Sequence, residues 1–310
     1  MKISFIMPAK NTARYIADAV KALLSVDDHD WELIVIDDHS ADGTAGVVAD
    51  TARQDPRVIC RLNRGQGKID ALNHGFSLAA GGILKCIDSD DVLDRGFFRL
   101  AALHDTYDCV CHGTDITDES LNTLGRYSLN ADFLNNGFAD CFANLRSLPR
   151  CMWSFRRPVA ERVFPLPAEL PFEDVWFSLV IKRYEYSIFQ SDEYPYKYRQ
   201  HSNQVYGGIY NFSHDKIIFR AKRMKRLIHV LESTPLHDFN RFAPSLARIK
   251  CFYRLMSLSP LPLLTLLSAP LAPAQKCKLV IYKKIPGMAR ALVRLKWHID
   301  TRRHRRNKKS

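Results

Sequence analysis

Residues 83–92 read ILKCIDSDDV, a run of mostly β-favouring apolar residues that ends in Asp88-Ser89-Asp90-Asp91. A strand that stops in such a cluster concentrates negative charge where a sheet meets solvent. The charges repel one another and make ionisation costly unless a cation sits among them. Hard divalent ions such as Mg²⁺ or Mn²⁺ take carboxylate oxygens and commonly keep a phosphate as a further ligand. The stretch therefore points to metal-dependent chemistry on a phosphorylated substrate. The other reading is an acidic turn that caps the next helix, since acidic residues are favoured at helix N-termini.

The surrounding pattern places this strand in a larger scheme. Residues 3–7 form a short apolar strand, followed by Pro8-Ala9-Lys10-Asn11 and a helical pattern over 12–25. A second strand at 33–36 also ends in carboxylates, Asp37 and Asp38, before a polar turn at 39–44. Helical spacing then runs to about Gln54, and 58–62 makes a third strand. After a polar turn at 63–67, residues 68–80 predict a helix and 83–87 the fourth strand. Strands alternating with helices of this length argue for an α/β fold, a mostly parallel sheet with helices on both faces. Ligands of such sheets bind beyond the carboxyl ends of the strands. Asp38, the Asn63 turn and residues 88–91 all fall there, so they are expected to share one rim.

Four segments carry a resemblance. IMPAKN (6–11), VIDDHSADGT (35–44), LNRGQGKIDALNHGF (62–76) and CIDSDD (86–91) look like the successive nucleotide-sugar-binding segments of family 2 glycosyltransferases, which have the GT-A fold. They cover about the first 95 residues in the family's order. The resemblance implies donor contacts at Pro8, Ala9, Lys10, Asp38, Asn63, Lys68, Asp88, Ser89 and Asp90. Asp38 is implied at the nucleobase edge, Asp88 near the ribose, and Asp90 on a divalent metal, Mg²⁺ or Mn²⁺, that bridges the diphosphate. One departure stands out: Lys10 occupies a position where the family commonly has an aromatic residue.

Two later segments extend the resemblance. Phe172-Glu173-Asp174-Val175-Trp176-Phe177 follows Pro171 and opens a helical run to about Tyr184. The family often carries an acidic pair here, which implies Asp174 as the base that takes the acceptor's proton, with Glu173 beside it. A sugar hydroxyl is a poor nucleophile at neutral pH, and a positioned carboxylate can accept its proton in the transition state. On position alone, both acids could simply complement a helix N-terminus. Tyr196-Lys197-Tyr198-Arg199-Gln200-His201 resembles the family's YRxH segment, implying that Arg199 or His201 reaches the diphosphate or the metal; a loop with exposed basic residues is the alternative. Trp153 could stack on an acceptor sugar or be buried in a strand. The implied reaction is a single displacement with inversion: a metal neutralises the departing diphosphate while Asp174 deprotonates the acceptor.

Charge locates the rest. The chain has 310 residues and a formal net charge of +12. Residues 276–310 hold 13 Lys or Arg and one acid, Asp300, whereas 1–275 hold 32 of each sign. The catalytic region thus has no basic surplus, and a nucleic-acid partner is not expected. Leucine-rich 255–271 is broken by Pro260, Pro262 and Pro270 and falls short of the ~20 apolar residues of a membrane span. From 276 to 297, Leu279, Tyr282, Ile285, Ala289, Leu292, Val293 and Trp297 gather near one side of a helix that Pro286 bends or splits. With Arg302, Arg303, Arg305, Arg306, Lys308 and Lys309 behind it, this segment suits an anionic membrane surface. It could instead pack on the protein with a solvated tail, or bind nucleic acid.

The expected organisation is a catalytic domain over 1–205, a helical extension over 206–275, and the basic segment 276–310. Within the catalytic domain, residues 1–95 would bind the nucleotide sugar and residues 96–205 the acceptor. Met1-Lys2 runs straight into the first strand with no signal segment. The eight scattered cysteines, including the Cys109/Cys111 pair on a predicted strand, read as reduced core thiols. The expectation is a hexosyl- or N-acetylhexosaminyltransferase, cytoplasmic and peripheral on the inner face of the membrane. It would use a nucleotide-diphosphate sugar, UDP-linked by the family's default, and a glycan or lipid-linked acceptor in surface polysaccharide or lipopolysaccharide assembly. A nucleotidyltransferase would want a Gly-rich basic loop after the first strand, which Pro8-Ala9-Lys10-Asn11 does not supply. A donor-binding or membrane-scaffold protein without turnover is the non-enzymatic alternative.

Overall fold

The structure, a computed structural model, describes residues 1–127, 129, 131–201, 214–234, 239–258, 260–285, 287–289 and 291–292. Two compact units emerge, neither contiguous in sequence. The first comprises Met1–Asn135, Ser147–Ala168 and Glu173–His201; the second comprises Asn136–Arg146, Glu169–Phe172 and the chain from Ser202.

The first unit is built on a seven-stranded sheet. Its strands are β1 (Ile3–Ala9), β2 (Trp31–Asp37), β3 (Val58–Leu62), β4 (Ile83–Cys86), β6 (Cys109–Cys111), β9 (Trp153–Arg156) and β10 (Ile188–Gln190), in the order β10-β6-β9-β4-β1-β2-β3. Only β9 runs antiparallel to its neighbours. Every residue of β1 and β2 is buried, as expected of central strands covered on both faces. Phe5, Trp31, Leu33, Phe97 and Phe98 lie in the main core cluster, and Ile34, Ile36 and Ala71 form another. Helices α1 (Ile16–Leu24), α2 (Thr44–Gln54) and α3 (Lys68–Leu78) connect the first four strands. Gly75 lets α3 lie close on the sheet, because a Cβ there would stand 2.5 Å from Ile6 Cγ2.

A second sheet has the order β5-β11-β7-β8, from β5 (Val92–Leu93), β7 (Thr114–Thr117), β8 (Thr123–Tyr127) and β11 (Tyr196–Arg199). The sequence reading does not anticipate this sheet. Its strands are short, and β11 finds its partners about 80 and 100 residues upstream through long-range pairing. The predicted helix over 12–25 starts later, at Ile16, because Thr12 and Ala13 spend their amides on Thr44 Oγ1 and Asp42 Oδ2. Trp153 is fully buried in β9 and Cys109 and Cys111 in β6, so the tryptophan is core rather than a sugar platform.

The second unit contains the helices His214–Glu232, Phe239–Ser257, Leu263–Ser268 and Pro273–Lys284. Leu255, Leu261, Leu266 and Leu279 share its core. Of the predicted amphipathic side, Leu279 and Ala289 are buried and Tyr282 half-buried, whereas Ile285 and Leu292 are exposed. Pro286, Val293, Trp297 and the polybasic tail lie outside the described residues. Among the described residues no helix is long and apolar enough to cross a membrane.

One core side chain yields a test. Lys85 of β4 is fully buried, and its Nζ donates to the Cys151 carbonyl (2.6 Å) and lies 2.8 Å from His112 Nε2. Burial brings its ammonium down to about 7. Between that value and the ordinary lysine range the unfolded chain holds the extra proton, so stability rises with pH there and the penalty is complete below it. The unfolding free energy of wild type minus that of Lys85→Met is therefore expected to climb by about 1.4 kcal/mol per pH unit from about pH 7 to 10 in urea titrations. A flat difference would contradict it.

Candidate active site

The parallel register sets the rim. Ala9 pairs with Asp37 and Asp37 with Leu62, so β1, β2 and β3 end level. The Asp38 amide donates to the Ala9 carbonyl at 2.7 Å, and the Asn63 amide to that of Asp37 at 2.8 Å. Asp38 is buried here with both carboxylate oxygens engaged. Its Oδ1 accepts from Asn63 Nδ2 (2.9 Å) and the Gly67 amide (2.7 Å), and its Oδ2 from Lys10 Nζ (3.0 Å). Burial opposes ionisation, yet these donors hold the carboxyl below its usual range. Gly67 has φ +92°, a conformation open to glycine, which lets its amide turn onto Asp38 at the start of α3. Pro8 and Ala9 lie in β1 beside β2, and Lys10, with half its side chain exposed, follows them.

The second cluster surrounds a buried arginine. Arg150 is 2% exposed, in a 3₁₀ turn before β9. Its Nε donates to Glu173 Oε1 (3.1 Å), its Nη2 to Asp88 Oδ1, and its backbone amide to Asp174 Oδ1 (2.8 Å). Lys68, the first residue of α3, bridges the same two acids, 2.9 Å from Glu173 Oε1 and 3.3 Å from Asp88 Oδ1. Two cations thus hold two carboxylates. Despite burial, the charges of Lys68 and Arg150 keep Glu173 down at about 2, and those of Arg150 and Lys68 keep Asp88 low. Asp174 differs from its neighbour. Burial and the adjacent Glu173 charge push it up to about 6. Both acids begin the helix Glu173–Arg183.

The third cluster depends on the small sheet. Pairing of β11 with β5 (Lys197 with Val92) brings the segment after β11 to residues 88–91. The Arg199 amide donates to Asp91 Oδ1 at 2.8 Å, and the Asp88 amide to the Tyr196 hydroxyl at 2.9 Å. His201 Nε2 stands 3.0 Å from Asp90 Oδ2, and its ring lies 4.7 Å from that of Tyr15. The Arg199 guanidinium turns to Asp18 Oδ2 (2.8 Å), the Glu119 carbonyl (3.2 Å) and the Tyr15 ring, where it braces α1. Ser89 is buried and accepts from Thr12 Oγ1 at 3.1 Å.

Asp90 and His201 fit a hard divalent ion. A carboxylate oxygen and an imidazole nitrogen are donors such an ion takes, and the two stand 3.0 Å apart, in hydrogen-bond contact with each other. Beside them, His201 Nδ1 is buried without a hydrogen-bond partner among the described residues. Burial and the charges of Asp90 and Asp88 push the Asp91 carboxyl well up, a strain that a cation relieves. Among the described residues no group of three or more His, Cys, Asp or Glu side chains gathers as a metal cage.

The structure therefore brings the sequence-predicted residues into three neighbouring groups: Lys10, Asp38 and Asn63; Lys68, Asp88 and Asp174; Asp90 and His201. Sequence reasoning missed Arg150, Tyr15 and Tyr196. Nothing local marks Arg150, because its partners lie 62 and 23 residues away.

Comparison with known proteins bears on the family and the fold. Residues 4–164 match the family described as Glycosyl transferase family 2. An uncharacterized glycosyltransferase of Nostoc sp. is 33% identical over 181 residues, 54% of each chain. A poly-beta-1,6-N-acetyl-D-glucosamine synthase of Staphylococcus epidermidis is 32% identical over 92 residues, 30% of this chain and 22% of that protein. The chain thus spans about half the length of the first relative and less of the second. Staphylococcus aureus TarS 1-349 in complex with UDP superposes with a TM-score of 0.56 at 19% identity, covering 84% of this chain and 73% of that one. Mannosyltransferase PcManGT from Pyrobaculum calidifontis, in complex with GDP-Man and Mn²⁺, gives 0.54 at 18% identity, covering 94% and 80%. At these identities the structural likeness shows the fold, which is GT-A. With the family match spanning more than half of its residues, the chain belongs to glycosyl transferase family 2.

Proposed function

We propose that the chain is an inverting glycosyltransferase that moves a sugar from a nucleotide diphosphate to a hydroxyl of a glycan or lipid-linked acceptor, with Asp174 as general base. The carrying observation is the geometry of two adjacent carboxyls: Glu173 meets the Arg150 guanidinium and Lys68, which hold it low, whereas Asp174 meets only the Arg150 backbone amide, and burial beside Glu173 raises it. Environments that separate neighbouring acids in this way assign them different tasks. Glu173 stays a permanent anion that holds Lys68 and Arg150. Asp174 is ionised at neutral pH yet basic enough to take a proton.

In the reaction the acceptor oxygen bonds to the anomeric carbon as the bond to the diphosphate oxygen breaks. The hydroxyl proton passes to Asp174, and the diphosphate departs with the bonding electron pair. Lys68 and Arg150 fix Asp88 at the donor and hold Asp174, through the Arg150 amide, toward the acceptor. Mg²⁺ or Mn²⁺ on Asp90 and His201 would supply Lewis-acid neutralisation of the diphosphate. Pro8, Ala9, Lys10, Asp38, Asn63 and Ser89 line the nucleoside side, with Lys10 offering an ammonium beside Asp38. Arg199 acts indirectly, by fixing Asp91 and α1.

Residues 1–95 then serve the donor and the later segments of the first unit the acceptor. A hexose or N-acetylhexosamine donor, UDP-linked by the family's default, and a role in surface polysaccharide or lipopolysaccharide assembly complete the reading. The relative named for polymer synthesis supports it. The basic excess of 276–310 supports a cytoplasmic, peripheral position on an anionic inner membrane face.

Three measurements test this. Transfer should fall about tenfold per pH unit below about 6 as Asp174 protonates, and stay level above it. Asp174→Asn should lower kcat by about 10²–10⁴ while leaving donor affinity within about threefold; equal transfer by the variant refutes the base assignment. Calorimetric titration with UDP, GDP and dTDP, in Mn²⁺ and in EDTA, should give metal-dependent binding of one nucleotide that Asp90→Ala abolishes. Absence of binding by all three refutes the donor site.

A further inference from the structure

The second unit leaves some of its apolar surface uncovered. Pro260, Pro262, Pro270 and Pro273 fence the short helix Leu263–Ser268. Leu266 turns inward and is buried with Leu261, Ala269, Leu271 and Leu279. Leu263, Leu264 and Leu267 are 67%, 82% and 62% exposed. Residues at i, i+1 and i+4 lie on one side of a helix, so the three leucines form a single outward ridge.

The charge around this ridge has one sign. Between Asp238 and Asp300 the sequence holds no acidic residue and 11 Lys or Arg. Lys276 Nζ donates to the Leu267 carbonyl at 2.6 Å, so one ammonium sits at the end of the ridge, and Lys283 Nζ donates to the carbonyl of Leu258, ahead of the helix. Arg248, Arg254, Lys278 and Lys284 of the same stretch are exposed. A second copy of the chain would bring the exposed cations of this stretch against one another, and like charges would oppose that contact. An anionic bilayer offers both an apolar layer and negative phosphates above it.

We propose that Leu263, Leu264 and Leu267 insert at the headgroup–acyl boundary of an anionic membrane while the surrounding cations bind lipid phosphates. The proposal rests on the peripheral membrane reading above and deepens it, since it names an apolar contact outside the basic terminal segment.

The test uses the full chain with vesicles of phosphatidylcholine plus phosphatidylglycerol, and of phosphatidylcholine alone. Leu264→Trp should give indole emission that shifts to the blue and is quenched by brominated lipid, on the anionic vesicles only. The triple variant Leu263→Ser/Leu264→Ser/Leu267→Ser should bind anionic vesicles about tenfold or more weakly, with an unchanged melting curve because these side chains leave the core untouched. If wild type ignores both vesicles, the membrane reading itself fails and the ridge proposal with it. If wild type binds but the indole stays unquenched and the serine variant binds equally, the ridge is overturned and the basic segment alone carries attachment. A doubled mass in light scattering, lost in the serine variant, would make the ridge a contact between copies and overturn the proposal.

Discussion

The candidate site is organised by one buried cation. Arg150 reaches the end of β4 through Asp88, the start of the helix Glu173–Arg183 through Glu173, and Asp174 through its backbone amide. An arginine taken out of water is tolerated only when paired and hydrogen-bonded, and its planar fork can meet two carboxylates at once. Lys68 closes the other side of the same pair. The sheet's rim and the helix that carries the proposed base are thereby locked together by charge. Removing the arginine would leave Asp88 and Glu173 with one exposed lysine between them.

The same network explains why adjacent acids diverge. Glu173 faces both cations and is held low, whereas Asp174 accepts a neutral amide from Arg150 and borders the Glu173 charge. One step along a helix rotates a side chain by about 100°, enough to change its electrostatic surroundings completely. A comparable division operates at the acidic strand end. Asp88 belongs to the arginine, Asp90 to His201, and Asp91 to the Arg199 amide. Three carboxylates that look equivalent in sequence have three different partners.

Asp38 illustrates how a substitution alters a site without removing it. With both oxygens occupied, Oδ2 by Lys10, the carboxylate is neutralised by a side chain from β1's end rather than left as a bare acceptor. An ammonium there contributes charge and a donor, whereas an aromatic ring contributes a stacking face. The end of β1 therefore presents a charged group paired with Asp38.

The local sequence determined the strands β1 to β4 and the helices between them, because period-2 and period-3.6 patterns, glycine turns and acidic strand ends are written in adjacent positions. It determined the common rim too, since parallel βαβ units place every strand's carboxyl end on one side. The segment around Asp174 was legible as a helix start, and the segment around His201 as a basic run beside a strand. Only the tertiary structure decided which partner each acid takes. Arg150 meets Asp88 across 62 positions and Glu173 across 23, and His201 reaches Asp90 across 111. Those pairings depend on β9 entering the sheet in reverse and on β11 pairing with β5, long-range contacts that no local pattern encodes. A carboxylate's chemistry follows from what is packed against it, and packing is a property of the folded chain.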